Sequence, residues 1–184
     1  YCIIPMARGP IRSKSLDDIK AELESIVNAG YKEVVLVGIN LSSYGKDTGK
    51  RLIDAIELAC KIDGIERVRL GSLEPELLTD DDIKRMSQQS KMCPQFHLSL
   101  QSGCDETLKR MNRKYTTAQY KAIVEGLRNA YPDVAITTDI MVGFPGETKE
   151  EFEDTLDVLR KVRYDTIFSF IYSKRPGTPA SLWD

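Results

Sequence analysis

Apolar positions along the chain switch repeatedly between a helical spacing and short continuous runs. Ser15 is a helix N-cap followed by Asp17 and Asp18, and Ile19, Leu23, Ile26 and Val27 then fall on one face before Asn28-Ala29-Gly30 ends the helix. Val34-Val35-Leu36-Val37, closed by Gly38, is apolar on both faces and reads as a buried parallel strand. The alternation continues with a helix over 52–62, a strand at 68–70 and a helix over 80–87 started by Thr79 or Asp80. A strand at 95–100, a helix over 116–130 and a strand at 134–141 come next. A helix over 148–162, opened by the capping-box pair Thr148 and Glu151, precedes a last strand at 166–171.

Strands alternating with helices predict an α/β fold with a parallel sheet and right-handed crossovers. An open doubly wound sheet and a closed or partial barrel both satisfy that pattern. The placement of polar residues separates them. Gly38-Ile39-Asn40, Ser72-Leu73-Glu74-Pro75, Gln101-Ser102-Gly103 and Gly143-Phe144-Pro145-Gly146-Glu147 each lie after a different strand. A barrel gathers its site from many strand ends on one rim, whereas an open sheet uses mainly its switch point, so a barrel-like layout is favoured.

The length of 184 residues suits one domain with its own core. A formal charge of -2 gives no bulk attraction to nucleic acid, so RNA contact would need a local patch or further chain. No apolar run reaches the roughly 20 residues of a membrane span, and the first residues are not a secretory signal. The four cysteines, Cys2, Cys60, Cys93 and Cys104, lack Cys-x-x-Cys spacing and disulfide-scaffold density, which points to a reducing cytoplasm. Cys60, Cys93 and Cys104 read as structural residues. His97 is the only histidine and, inside a strand, reads as packed and hydrogen-bonded rather than as a metal ligand.

Glu74, Gln101, Arg113 and Asp139 sit at or just beyond the ends of different elements. A ligand carrying a carboxylate, an ammonium and a ribose diol needs such partners: arginine grips a carboxylate bidentately, and acidic side chains accept from ribose hydroxyls. The alternative reading is that they are surface and capping groups. The Gly143–Thr148 loop lacks the Lys-Ser/Thr ending of a P-loop and the spacing of a dinucleotide fingerprint, leaving a close backbone approach to a ligand or a tight turn. Lys109, Arg110, Arg113 and Lys114 form a basic run, in which residues other than Arg113 are either solvated or turned to RNA phosphates; Arg8 and Arg12 either face RNA phosphates too or pair with carboxylates within the barrel.

Taken together, the strings Arg69-x-x-Ser72-x-Glu74-Pro75, His97-Leu98-Ser99-Leu100-Gln101-Ser102-Gly103, Lys109-Arg110-Met111-Asn112-Arg113-Lys114-Tyr115-Thr116 and Thr138–Thr148 resemble the radical-SAM methylthiotransferase family. Cys2-Ile3-Ile4-Pro5 resembles the last cysteine of that family's Cys-x-x-x-Cys-x-x-Cys loop together with the residues just after it. The resemblance implies a partial (β/α)6 TIM-like barrel of the radical-SAM type, lacking its first strand in this chain, with residues 1–184 forming the catalytic core. It implies S-adenosylmethionine held by Gly38, Asn40, Glu74, Gln101, Ser102, Arg113, Asp139, Gly143 and Gly146. It implies a [4Fe–4S] cluster on three thiolates, of which only Cys2 is present, with two more expected three and seven positions upstream. A second [4Fe–4S] cluster in a separate N-terminal domain, a C-terminal RNA-binding domain, tRNA as substrate and a flavodoxin or ferredoxin as electron donor are implied by the same likeness. No membrane or DNA partner is implied. Within the family, Ser72-Leu73-Glu74-Pro75 and Ser99-Leu100 look most like the branch that methylthiolates C2 of N6-threonylcarbamoyladenosine. Isopentenyladenosine or a ribosomal protein are the alternative substrates. An iron-free barrel lyase and a non-catalytic scaffold are the readings from other classes; the sequence shows no lysine at a strand end and no histidine cluster for the former.

Overall fold

A computed structural model describes residues 1–183. Among these described residues, seven α-helices and five strands succeed one another as α1 (Ile4–Arg8), α2 (Leu16–Asn28), β1 (Glu33–Leu36), α3 (Leu52–Lys61), β2 (Arg67–Leu70), α4 (Asp80–Ser87), β3 (Gln95–His97), α5 (Asp105–Arg110), α6 (Thr117–Ala130), β4 (Ala135–Val142), α7 (Lys149–Val162) and β5 (Thr166–Ile171). The longer helices start where their caps stand. The side chains of Ser15, Thr79, Thr116 and Thr148 each accept from a backbone N–H in the first turn, and the last three close capping boxes.

All strand pairs are parallel, β1 with β2, β3 with β4 and β4 with β5. Bridges at Val68–Met92 and Leu73–Leu98 carry the ladder across from β2 to β3, so the strands run in sequence order from β1 to β5. That order, without the reversal of a doubly wound sheet, is the arrangement of a partial barrel. One face of the sheet is covered by helices and holds the core. Val34, Val68, Leu70, Phe96, Leu98, Ile136 and Ile140 are buried there against Ile53, Ile56, Ile83, Tyr120, Val124, Leu127 and Val158. Side chains alternate across a strand. Ile136, Thr138 and Ile140 of β4 are therefore buried under the helices, while Thr137, Asp139 and Met141 turn to the opposite, open face.

Three differences from the sequence-based expectation have local causes. Residues 4–8, for which the sequence pattern predicts no helix, form the short helix α1, with Pro5 supplying a first-turn φ that suits a helix. Helix α5 over 105–110 is too short to show a periodicity. The strand expected over 95–100 keeps regular pairing only to His97; beyond it the chain makes single bridges, and Gln101 takes a left-handed backbone with φ 66°.

Candidate functional site

A cavity of about 1260 Å³ opens beside β1, between the N-terminal segment and the strand ends, and its lining includes Tyr1, Cys2, Gly38, Asn40, Glu74 and Arg113. Pockets for small molecules usually measure about 300–1,000 Å³, so there is room for a nucleoside-sized ligand. Arg113 is placed by the end of α5. The Asn112 and Arg113 N–H groups return to the Lys109 and Leu108 carbonyls, both at 2.9 Å, with Asn112 at φ 61°. This is a Schellman closure, in which a residue tolerant of positive φ ends the helix and swings the next side chain back. Arg113 Nη1 then donates to Glu74 Oε2 at 2.5 Å, and Nη2 donates to the Tyr1 hydroxyl at 2.7 Å. Tyr1 in turn donates to Gln101 Oε1 at 3.1 Å, and the Arg113 guanidinium lies 5.7 Å from its ring centre.

Gln101 reaches this network because both of its backbone groups are tied to β4. Its N–H donates to the Asp139 carbonyl and its own carbonyl accepts from Met141, each at 2.8 Å. A non-glycine residue in the left-handed region costs about 1 kcal/mol or more, and here the ties to β4 hold it. Burial pushes the Tyr1 phenol above its ordinary pKa against the pull of Arg113. Burial lowers the pKa of Arg113, and Tyr115, Tyr1 and Glu74 together outweigh that, so it stands above the usual value and the guanidinium stays charged. Glu76, also lining the cavity, is pushed up by burial.

The other sequence-derived residues lie elsewhere. Ser102 is fully enclosed under α7, its hydroxyl 3.3 Å from Thr155 Oγ1 and accepting from Cys104 N–H. Gly143 (φ +67°) donates to Glu147 Oε2 at 2.5 Å, and Gly146 faces Arg110. Asp139 stands on the open face beside His97. The network thus brings together Glu74, Gln101 and Arg113, and it includes Tyr1, which no pattern in the sequence marked. Tyr1 is set by its edge contact with Phe144, ring centres 5.6 Å apart, a residue inside the Gly143–Thr148 loop.

The donor set fits one implied ligand and not the other. An adjacent carboxylate and guanidinium at a cavity wall match the ammonium and carboxylate of an amino-acid group, and Arg113 commits only two of its five N–H donors to Glu74 and Tyr1. Cys2 is exposed, and its sulfur accepts from the Ile4 N–H at 3.4 Å. Cys60 and Cys104 are buried in the fold, and no group of three metal-binding side chains occurs among the described residues. The residues present do not by themselves hold a three-thiolate cluster.

The family model for the radical SAM superfamily matches residues 1–159. The chain belongs to the radical SAM superfamily. Solved structures of the same fold include the radical S-adenosylmethionine methyltransferase TsrM from Kitasatospora setae, with a TM-score of 0.73 and 14% identity over 91% of this chain and 33% of that one. Coproporphyrinogen III oxidase from Escherichia coli gives 0.67 and 16% over 90% and 38%. These confirm the α/β partial barrel. Among curated relatives, tRNA-2-methylthio-N(6)-dimethylallyladenosine synthase of Carboxydothermus hydrogenoformans is 50% identical over 98% of this chain and 42% of its own length. The synthase of Acetivibrio thermocellus is 49% identical over 98% and 38%. The chain spans about two fifths of the length of these relatives. No helix among the described residues is long and apolar enough to cross a membrane.

Proposed function

We propose that this chain is the S-adenosylmethionine-binding core of a tRNA methylthiotransferase. The observation that carries the reading is the Glu74–Arg113 pair at the wall of a nucleoside-sized cavity that also exposes Cys2. In this reading Glu74 accepts from the ammonium of the cofactor and Arg113 donates to its carboxylate. Gly38 and Asn40 border the same cavity and present backbone and amide groups to that end of the ligand. Gly38 adds only a backbone surface; a Cβ there would stand 3.4 Å from the Leu41 Cα. Tyr1 and Gln101 brace the guanidinium from behind. S-adenosylmethionine bound there supplies the radical and the methyl group on which such chemistry depends. The protein's part is to fix the amino-acid end and exclude water.

For the substrate, the relatives favour the alternative over the main expectation: the named synthases act on dimethylallyladenosine, not threonylcarbamoyladenosine. We take a dimethylallyl-modified adenosine in tRNA as the substrate. RNA bases that undergo chemistry are read unstacked, in single-stranded loops. The domain at 1–184 would work with a flanking cluster domain, an RNA-binding domain and a flavodoxin- or ferredoxin-like donor. The test is complementation. A strain lacking its methylthiotransferases should regain 2-methylthio-N6-dimethylallyladenosine, seen by mass spectrometry of tRNA nucleosides, when given the full protein. Recovery of the threonylcarbamoyl product alone would assign the other substrate, and recovery of neither would refute the reading.

A further inference from the structure

The open face of the sheet carries a polar cluster that the cavity network leaves unused. His97 of β3 and Asp139 of β4 stand side by side there, and Phe168 of β5, in register with Asp139, stands beside them. The His97 Nδ1 lies 3.0 Å from Thr137 Oγ1, its partner across the β3–β4 ladder. Its Nε2 is enclosed, lacks a hydrogen bond of good alignment, and sits 3.2 Å from Asp139 Oδ2. If the Thr137 hydroxyl donates to Nδ1, the tautomer is fixed with the proton on Nε2, at the edge of the ring that meets that carboxylate. The His97 side chain is 14% exposed and that of Asp139 31%, so the imidazole is packed while the carboxylate still meets the open side. Among the described residues no other basic side chain comes within ion-pair distance of Asp139. Its backbone carbonyl accepts from the Gln101 N–H at 2.8 Å, which fixes the main chain from which the carboxylate projects.

A packed imidazole behind a half-open carboxylate is a positioning arrangement. One oxygen stands 3.2 Å from the imidazole edge, and the other is left to accept from a ligand. Beside it the Phe168 ring, 6.0 Å from the imidazole, is about half exposed, and Phe170, two residues further along β5, is equally open. A carboxylate acceptor next to an aromatic face suits a flat heteroaromatic ring that carries a hydroxyl or amine donor. We propose that His97 is a positioning residue that holds the Asp139 carboxylate toward the open face, where it accepts a hydrogen bond from an adenosine group lying against Phe168. Only the choice of adenosine rests on the function proposed above. That adenosine comes either from the cofactor or from the RNA substrate.

The experiment measures dissociation constants for full-length wild type, Asp139→Asn, His97→Phe, His97→Gln and the Asp139→Asn/His97→Phe pair. The two probes are S-adenosylmethionine and a stem-loop RNA bearing N6-dimethylallyladenosine. Asp139→Asn and His97→Phe should each weaken the same probe by about tenfold, the scale of a hydrogen bond to a charged group. The pair should be no weaker than Asp139→Asn alone, because His97 acts through Asp139. His97→Gln, which keeps a donor, should stay within about threefold of wild type. The probe that responds identifies the source of the adenosine. A merely structural His97 would lower the melting temperature and leave both constants unchanged. That result, or multiplicative losses in the pair, or Asp139→Asn binding both probes like wild type, would overturn the proposal. Wild type binding neither probe would overturn this reading and the proposed function together.

Discussion

The segment after β3 enters two polar clusters of opposite character. On the cavity side, Arg113, Glu74, Tyr1 and Gln101 form a chain of hydrogen bonds that ends at an open wall. On the helix side, Ser102, Thr155, Thr107, Arg110 and Glu151 bind only one another and the backbone around them. Gln101 and Ser102 are neighbours in sequence, yet one belongs to each cluster. A polar residue at a strand end therefore has two destinations, and the face it takes decides whether it can meet a ligand. Substitutions on the cavity side should be felt by ligands, and those on the helix side by stability.

The largest expected effect is on the cavity side. Arg113→Ala should weaken S-adenosylmethionine binding by about a hundredfold or more, as it removes the cation and leaves Glu74 uncompensated. Arg113→Lys should recover part of that loss, since it restores charge but not the planar fork. Isothermal titration of the full protein measures both, and wild-type affinity in Arg113→Ala would break the comparison. Next in size is the helix-side change Gly103→Ala. A Cβ there would lie 2.6 Å from the Thr155 Cα and 3.0 Å from the Val158 Cβ, so α7 must move. Overpacking of that kind costs about 2 kcal/mol. Urea unfolding should register that loss, while affinity for S-adenosylmethionine stays within about twofold.

The sequence marked these regions unevenly. The helices with a Ser or Thr cap were readable to within a residue at their starts, because one side chain determines where the first turn begins. The parallel, barrel-like layout was legible in the alternation and in the polar strand ends. Glu74 and Arg113 were recognisable as ligand-type groups, but their pairing spans 39 positions, and Tyr1 joins them across 112. No local pattern encodes such contacts. The split between Gln101 and Ser102 was hidden for another reason. Left-handed backbone is expected at glycine or asparagine, and here a glutamine adopts it under the hold of two bonds to β4. The Asn112 turn, by contrast, used the residue type that such a turn prefers. It went unread because α5 has only six residues, too few to display a helical period.

The smallest effect sharpens the helix side by separating charge from shape. Glu151 pairs with Arg110, accepts from Thr107 Oγ1 at 3.2 Å, and accepts from the Thr148 N–H at 3.0 Å as the far half of a capping box. Glu151→Gln keeps a capping side chain of the same size, so it removes mainly the charge. The hydrogen bond from Arg110 holds the Glu151 carboxyl below its ordinary pKa. A carboxyl whose pKa is depressed in the folded state stabilises the fold fully above its unfolded value near 4.5. That contribution is lost as the pH falls through the lower, folded value. With Arg110 about a third exposed, solvent screening limits the contribution to about 1 kcal/mol. Urea unfolding at pH 7 should therefore show Glu151→Gln less stable than wild type by about that amount. The gap should close as acid protonates Glu151 in both folded and unfolded states. A gap that persists undiminished at low pH would mean that Glu151 acts through packing and capping rather than charge, and the helix-side cluster would then owe its stability to shape alone.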